Sequence, residues 1–426
     1  MSSESLFLNA LKQSLKPALG CTEPLTVALA GAWARYYSCG ELKNMDVKVS
    51  ANLYKNAAGV FVPGTGMTGL AIAAAAGWWG GDPKQGLQVL GSLNKASLAK
   101  AKRTLSRQPI QVNYVEHPDV FYTHLNAHTD SDHISVLMGQ SHDGLLQVTV
   151  NSEVCYQQNV GESLPSSPAT LDKAWSVAAI VRFVEQVELH KLTFIEQSAT
   201  LNVALSELGE RESMGLAIGA QLRHQQRSGY ISDDLSTEAM ILSASASDAR
   251  MAGAPLAAMS NSGSGNQGIA ATLPVVAVAK RLQSSAEQRL RALAMSHLLA
   301  IYIKKLQSPL SALCAATTAA MGSGAAINWL LGGNSEQVEQ TIRYMLGDIS
   351  GIYCDGAKPG CALKVSTGAQ TAVKAALLAL GGRSPLSDGV LENSVDESLK
   401  HLGELTSQAL IPTDQAIIGW IAARQN

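Results

Sequence analysis

The chain has 426 residues, 46% of them apolar and only 15% charged, with a formal net charge of −2. That length exceeds one ordinary core and predicts two domains, or one domain with large insertions. The near-zero charge and the lack of a Lys/Arg run exclude nucleic acid as an expected partner, because phosphate neutralisation needs clustered cations.

In chain order, residues 4–15 predict a first helix, and a second starts near Pro24 and ends about Tyr37. Asp46–Pro63 holds β-prone runs. The apolar run Leu70–Trp79 is too short to span a bilayer, which needs ~20 residues. With no secretory h-region before Lys16, the expectation is a cytoplasmic protein that does not contact membrane. Ile110–Tyr156 is the most strand-like stretch. Ile134–Met138 and Leu145–Val150 flank Asp143-Gly144, a hairpin signature. From Ser167 onward, Ala/Leu-rich segments with helical spacing cover about 168–189, 194–226, 235–250, 266–282, 286–306, 310–331, 335–347 and 392–424, the last cut at Pro412. The expected fold class is therefore α+β. A large all-helical domain (163–426) stands beside a smaller α+β domain (41–162), with N-terminal helices (1–40) packing on the helical part. The serine-rich stretch Glu162–Ser167 is the expected linker.

Six cysteines in an intracellular chain of this size do not make a disulfide framework. Cys354 and Cys361 are seven apart across a Gly/Pro-rich loop that can bend two thiolates toward one centre, and Cys314 would come from a preceding helix. On spacing alone these three read equally well as small buried apolar residues, and zinc suits the same donors. Cys21 lies in Gly20-Cys21-Thr22-Glu23-Pro24. Thr22 is the expected N-cap and Pro24 suits a first turn, so the helix dipole should lower the Cys21 pKa, with an ordinary capped helix start and an idle cysteine as the alternative. Cys39 and Cys155 lack such surroundings and read as structural.

The loop Ser260–Gly268 offers a cradle for a carboxylate or phosphate, with Asn261, Ser262, Gly263, Ser264, Gly265, Asn266 and Gln267 as candidate substrate contacts. It has no P-loop lysine and follows no clear strand, so a dinucleotide site is not expected. A tight turn between helices is the alternative. Lys55, in Asn52-Leu53-Tyr54-Lys55-Asn56, is a further candidate contact, with a solvated surface lysine as the alternative. His117, His124, His128, His133 and His142 crowd the strand-rich part and read as solvated.

Taken together, Gly20–Pro24, Asn52–Asn56, Ser260–Gly268, Cys314 and the stretch from Gly347-Asp348 to Cys361 resemble the L-cysteine desulfidase family, which is similar to the α chain of iron–sulfur L-serine dehydratases. The resemblance covers nearly the whole chain. It implies a [4Fe–4S] cluster held by Cys314, Cys354 and Cys361, with a free iron that engages the substrate, and Cys21 as the candidate base. The serine enzymes use a His-Thr-Met-Gly-Pro element that this sequence lacks, which argues for cysteine as substrate. The implied activity is a lyase reaction on a small amino acid: L-cysteine to pyruvate, ammonia and hydrogen sulfide. L-Serine dehydration, a pyridoxal-phosphate lyase with Lys55 as Schiff base, and a non-enzymatic amino-acid- or metal-binding protein are the alternatives. The low charge and high Ala/Gly content fit a homo-oligomer, with a dimer expected.

Overall fold

The computed structural model describes residues 3–107, 110–158 and 174–425. The expected linker at Glu162–Ser167 lies outside the described residues. The fold is mixed α/β and mostly helical.

The chain opens with helix α1 (Ser3–Ser14), which buries Phe7, Ala10 and Leu11 on one face. The Phe7 ring meets Trp175 edge-on at 5.0 Å and Phe183 at 5.2 Å. Strand β1 (Leu15–Leu19) follows, then α2 (Thr22–Tyr37), β2 (Leu42–Ser50), α3 (Ala51–Ala57), the short pair β3 (Phe61–Val62) and β4 (Met67–Thr68), and α4 (Leu70–Gly80). A 3₁₀ stretch, Pro83–Ser92, leads to α5 (Lys95–Arg107). Strands β5 (Ile110–Val115), β6 (Thr123–Thr129), β7 (His133–Met138), β8 (Leu145–Val150) and β9 (Glu153–Gln157) complete a six-stranded sheet of order β5-β2-β6-β7-β8-β9. Only β2 and β5 run parallel; the rest form antiparallel neighbours, including the expected β7–β8 hairpin.

Met45, Val47, Val49, Leu125, Ala127, Ile134, Val136, Met138 and Val148 are buried on the sheet. They form one core with α2 and α4, as expected for a sheet with one covered face. The sequence reading sent both N-terminal helices to the helical part. The structure seats α2 on the sheet and on α4 instead, because α2 is apolar almost all round. Asp46–Pro63, read as β-prone, contains the helix α3, whose N-cap Ser50 accepts the Leu53 N–H.

The second half comprises α6 (Val177–Gln186), α7 (Glu196–Glu212), α8 (Ile218–Arg227), α9 (Leu235–Met251), strand β10 (Ala257–Asn261), α10 (Gly265–Arg281), α11 (Ala286–Leu306), α12 (Ala315–Leu330), α13 (Ser335–Ile349), α14 (Cys361–Leu380), α15 (Val395–Glu404) and α16 (Ile411–Gln425). Helix α12 is buried from Ala316 to Asn328, and its small residues let α10, α11 and α14 close on it. The expected helix 194–226 is two helices, split where Ser213 and Ala217 take left-handed backbone. Helix α14 and strand β10 escaped the sequence reading. Strand β10 pairs antiparallel with β1, from Leu15↔Asn261 to Leu19↔Ala257, so the Ser260–Gly268 loop does follow a strand. No helix among the described residues is long and apolar enough to cross a membrane.

Helix α16 is held to α3 by a buried ion pair. Lys55 Nζ lies 2.5 Å from Asp414 Oδ1, its side chain wholly enclosed. Asn52 Nδ2 donates to the Leu310 carbonyl at 2.9 Å and to Asp414 at 3.4 Å. Removing one partner strands the other charge in a site sheltered from water, at a cost of about 3–5 kcal/mol. Lys55→Met should therefore lower the denaturation midpoint, and adding Asp414→Leu should restore part of the loss. Lysine acting only as a substrate contact would leave both midpoints at the wild-type value.

Candidate active site

One cavity of about 310 Å³ gathers most of the candidate residues, within the ~300–1,000 Å³ range of small-molecule sites. Cys21, Ser262, Gly263, Ser264, Asn266, Gln267, Cys314, Cys354 and Cys361 all line it. Lys55, Asn261 and Gly265 do not.

Four helices begin on its wall. Cys21, not Thr22, is the N-cap residue of α2, and it makes no side-chain capping bond. Ser264 caps α10 by accepting the Gln267 N–H. Cys314 is the N-cap residue of α12, and Cys361 is the first residue of α14. Cys314 and Cys354 are brought together by backbone pairing. The Cys314 N–H donates to the Ile352 carbonyl at 2.9 Å and the Cys354 N–H to the Ala312 carbonyl at 2.5 Å, around a bridge between Leu313 and Tyr353. The Cys354–Cys361 loop is tied to α3 by the Ala357 N–H, which donates to the Asn56 carbonyl at 3.1 Å.

Burial, then the neighbouring Cys354, raises the Cys314 pKa, while the N–H groups of Thr317 and Ala316 pull the other way. Burial, then Cys314 and Cys354, pushes Cys361 up to about 12. The thiols thus interact across the cavity, and ligation must displace their protons. Among the described residues no trio of His, Cys, Asp or Glu is packed as one metal ion requires. Thiolates on a cluster bind different irons and stand farther apart, so three cavity-facing thiols fit a cluster by donor chemistry. They are Cys314, Cys354 and Cys361. Lys304, beside Cys354 and Cys314, is lowered to about 8 by burial, and its Nζ donates to the Ser308 carbonyl.

The expectation of a readily ionised Cys21 is corrected. Burial, followed by the charge of Glu23, raises its pKa well above the ordinary thiol value. Desolvation outweighs the helix dipole here. The Cys21 thiol donates to Glu23 Oε2 at 2.9 Å. Glu23 also accepts from Thr22 Oγ1 at 3.1 Å and from Asn56 Nδ2 at 3.0 Å, and His142 Nε2 stands 3.9 Å from its Oε1. Burial alone would raise the Glu23 pKa, but His142 and the Cys21 thiol outweigh it and hold the carboxyl below its usual range. His142, read as solvated, is buried in the cavity wall with the Phe121 ring edge-on at 4.8 Å.

Sequence reasoning gave no role to Glu23, Asn56, His142, Arg250 or Lys304. Glu23 and Asn56 sat inside quoted motifs, but no local signal distinguishes the other three from ordinary helix and turn residues. Cys39 and Cys155 are exposed, so neither fills a structural slot.

Behind the Gly/Ser loop lies a layer that fixes it. Asn261 is fully buried; its Nδ2 donates to the His297 carbonyl and to His297 Nδ1, both at 3.1 Å. Its Oδ1 accepts from Gln267 Nε2 and Ser262 Oγ, both at 2.9 Å. The Thr272 hydroxyl donates to the Gly268 carbonyl at 2.7 Å, which leaves it to accept from His297 Nε2 at 3.2 Å. His297 is therefore neutral with its proton on Nε2. Gly263 has φ +82, and a Cβ there would lie 2.8 Å from His142 Nδ1. A Cβ on Gly265 would lie 2.2 Å from Arg250 Nε.

Burial lowers the His297 pKa to about 3, against ~6.5 in an unfolded chain. Between these values the unfolded chain binds a proton that the folded one refuses. The stability is present above pH ~6.5 and lost as pH falls toward 3. The denaturant midpoint of the wild type should drop between pH 7 and 4.5, and His297→Gln should drop less over the same range. Equal drops would remove the imidazole from this account.

The serine dehydratase alpha chain family model matches residues 84–419. UPF0597 proteins are similar over nearly their full length. That of Aeromonas salmonicida is 48% identical over 421 residues, 98% of this chain and 96% of its own. That of Shewanella pealeana is 46% identical over 97% of each, and that of Dichelobacter nodosus 42% identical over 97% and 96%. This chain therefore belongs to the serine dehydratase alpha chain family.

Proposed function

We propose that the protein is an iron–sulfur lyase that performs β-elimination on a small α-amino acid, with L-cysteine as preferred substrate and L-serine as the alternative. The observation that supports this reading is the meeting of Cys314, Cys354, Cys361, Cys21 and the Gly/Ser loop at one cavity. In this reading residues 163–426 form the iron–sulfur body, and residues 41–162 supply Asn56 and His142 to its cavity. Cys314, Cys354 and Cys361 would hold a [4Fe–4S] cluster, which when bound supplies a Lewis-acidic iron with no protein ligand.

The rest of the chemistry belongs to side chains. A Cα proton is a weak acid, so its acceptor must be placed and charged at the right moment. The Cys21 proton passes to Glu23 Oε2, to which it is already hydrogen-bonded. The thiolate then takes the Cα proton while the Cα–Cβ double bond forms and the Cβ–S bond breaks. Sulfide leaves, and the aminoacrylate is hydrolysed to pyruvate and ammonia. His142 and Asn56 keep Glu23 ionised and oriented toward Cys21. A pyridoxal lyase has less support, because Lys55 is committed to Asp414 away from the cavity.

Anaerobic purification tests this. The expected product carries iron and acid-labile sulfide in equal amounts, shows a broad visible absorbance that bleaches in air, and forms pyruvate from L-cysteine. Cys21→Ser and Glu23→Gln should keep the iron and lose roughly 10²–10⁴-fold in turnover. Cys314→Ser should lose iron and turnover together. A borohydride-sensitive band, or no iron after anaerobic reconstitution, overturns the proposal.

A further inference from the structure

Five buried polar atoms at the cavity lack hydrogen-bond partners among the described residues: Arg250 Nε, Gln267 Oε1, Asn56 Oδ1, Ser311 Oγ and His142 Nε2, the last 3.9 Å from Glu23. Arg250, at the end of α9, is 3% exposed and lines the cavity. Its Nε is unpartnered, and its guanidinium makes no hydrogen bond or ion pair among the described residues. Its position is built in: the missing side chain at Gly265 is what lets Nε cross the start of α10. A buried guanidinium without an anion is costly, so this group is prepared for an anionic ligand.

Two of the others are amide oxygens, which can only accept: Gln267 Oε1 and Asn56 Oδ1, both buried and unpartnered. The network fixes which end of each amide is left without a partner. Asn261 must turn its Nδ2 to the His297 carbonyl, which only accepts, so its Oδ1 meets Gln267 and Gln267 must offer Nε2 there. The Gln267 oxygen is left over. Asn56 must likewise offer Nδ2 to the Glu23 carboxylate, which leaves its oxygen free. Ser311 Oγ can donate or accept and His142 Nε2 faces Glu23, so the groups with a fixed demand are two acceptors without donors and one cation without an anion, the complement of a zwitterion.

We infer that Arg250 binds the substrate's carboxylate while Gln267 Oε1 and Asn56 Oδ1 accept hydrogen bonds from its ammonium, so the site selects α-amino acids with both ends free. The inference rests on the reading of this cavity as the substrate site and adds its specificity. A ligand held at both ends presents the carbon between them, the Cα, to its surroundings. Asn56 and Cys21 share Glu23 as a partner, and the charge of Arg250 reaches Cys21. The inference therefore puts Cα on the Cys21 side of the cavity. Asn261 and Gly265, expected to touch substrate, position Gln267 and Arg250 instead.

The test is equilibrium binding to the anaerobically purified protein by calorimetry, with three probes that cannot undergo β-elimination of sulfide or water. L-Alanine has both charged ends, L-lactate lacks the ammonium, and L-alaninamide lacks the carboxylate. Lactate and alaninamide should each bind about 10–100-fold more weakly than alanine, the worth of a hydrogen bond to a charged group. Arg250→Met should weaken alanine and lactate but not alaninamide. Gln267→Met should weaken alanine and alaninamide but not lactate. Arg250→Lys, which keeps the charge, should fall between wild type and Arg250→Met. Equal weakening of all three probes by Arg250→Met, no preference for alanine, or no binding by any probe overturns the inference. A protein that shows this probe pattern but makes no pyruvate would instead sink the lyase reading and leave the recognition set standing.

Discussion

Four helix N-termini open on one cavity, and most of the site's chemistry follows from that. Each brings unpaired N–H groups and a partial positive charge of roughly half a unit. The starts of α2, α10, α12 and α14 place Cys21, Ser264, Cys314 and Cys361 on the same wall. Arg250 adds a guanidinium, and Lys304 an amine whose pKa burial lowers to about 8. Such a wall is unfavourable when it faces nothing and favourable when it faces thiolates, sulfide or a carboxylate. Burial sets the balance at Cys314 and Cys361, whose pKa values are raised so that the thiols keep their protons.

Convergence of this kind is a tertiary property, which explains what could be read from the sequence. Two of the four helix starts carry local signatures: Pro24 in the first turn of α2, and the Gly/Ser run before α10. The other two do not. Helix α14 begins within a Gly/Pro-rich stretch, and α12 begins where an apolar run gives no sign of a cap, so Cys361 looked like a loop residue and Cys314 a helical one. Strand β10 is only five residues long and pairs with a strand 242 positions away at its centre, Met259 with Pro17; no local alternation marks it. His142 sits in a hairpin turn that the sequence located correctly. Only packing of the sheet against α2 turns that turn into a cavity wall, where Thr26 Oγ1 holds the His142 carbonyl at 2.8 Å.

The polar layer behind the cavity shows why its residues were easy to notice and hard to assign. Asn261 and Gln267 stand in a conspicuous loop, and both were expected to meet substrate. Asn261 instead uses all four of its hydrogen-bonding positions on His297, Gln267 and Ser262. A fully satisfied buried amide adds little affinity for a ligand, but it fixes the orientation of its neighbours. Lys55 is a similar case. Its motif belongs to the site through Asn56, while Lys55 and Asn52 anchor α16 against α3. One short motif therefore carries both a cavity residue and the attachment of the C-terminal helix.

The Cys21–Glu23 pair sets two physical effects against each other. A helix N-terminus favours thiolate by about 0.3–1 kcal/mol when exposed, and somewhat more when partly buried. Full desolvation of a thiolate can shift its pKa by several units, and the carboxylate two residues on adds like-charge repulsion. The second pair of effects is larger, so the proton rests on sulfur. The same carboxylate that suppresses ionisation accepts the thiol's hydrogen bond, and its own charge is held by His142, Asn56 and the hydroxyl of Thr22. A thiol kept protonated in this way is protected from alkylation and oxidation, which act on thiolate. Ligand charge supplies the remaining control. In the proposed complex a carboxylate at Arg250 would neutralise the cation that lowers the Cys21 pKa, and an ammonium at Asn56 would introduce another. On that proposal the zwitterion would exchange one positive neighbour of the pair for another, and the thiol's proton equilibrium would become a property of the complex.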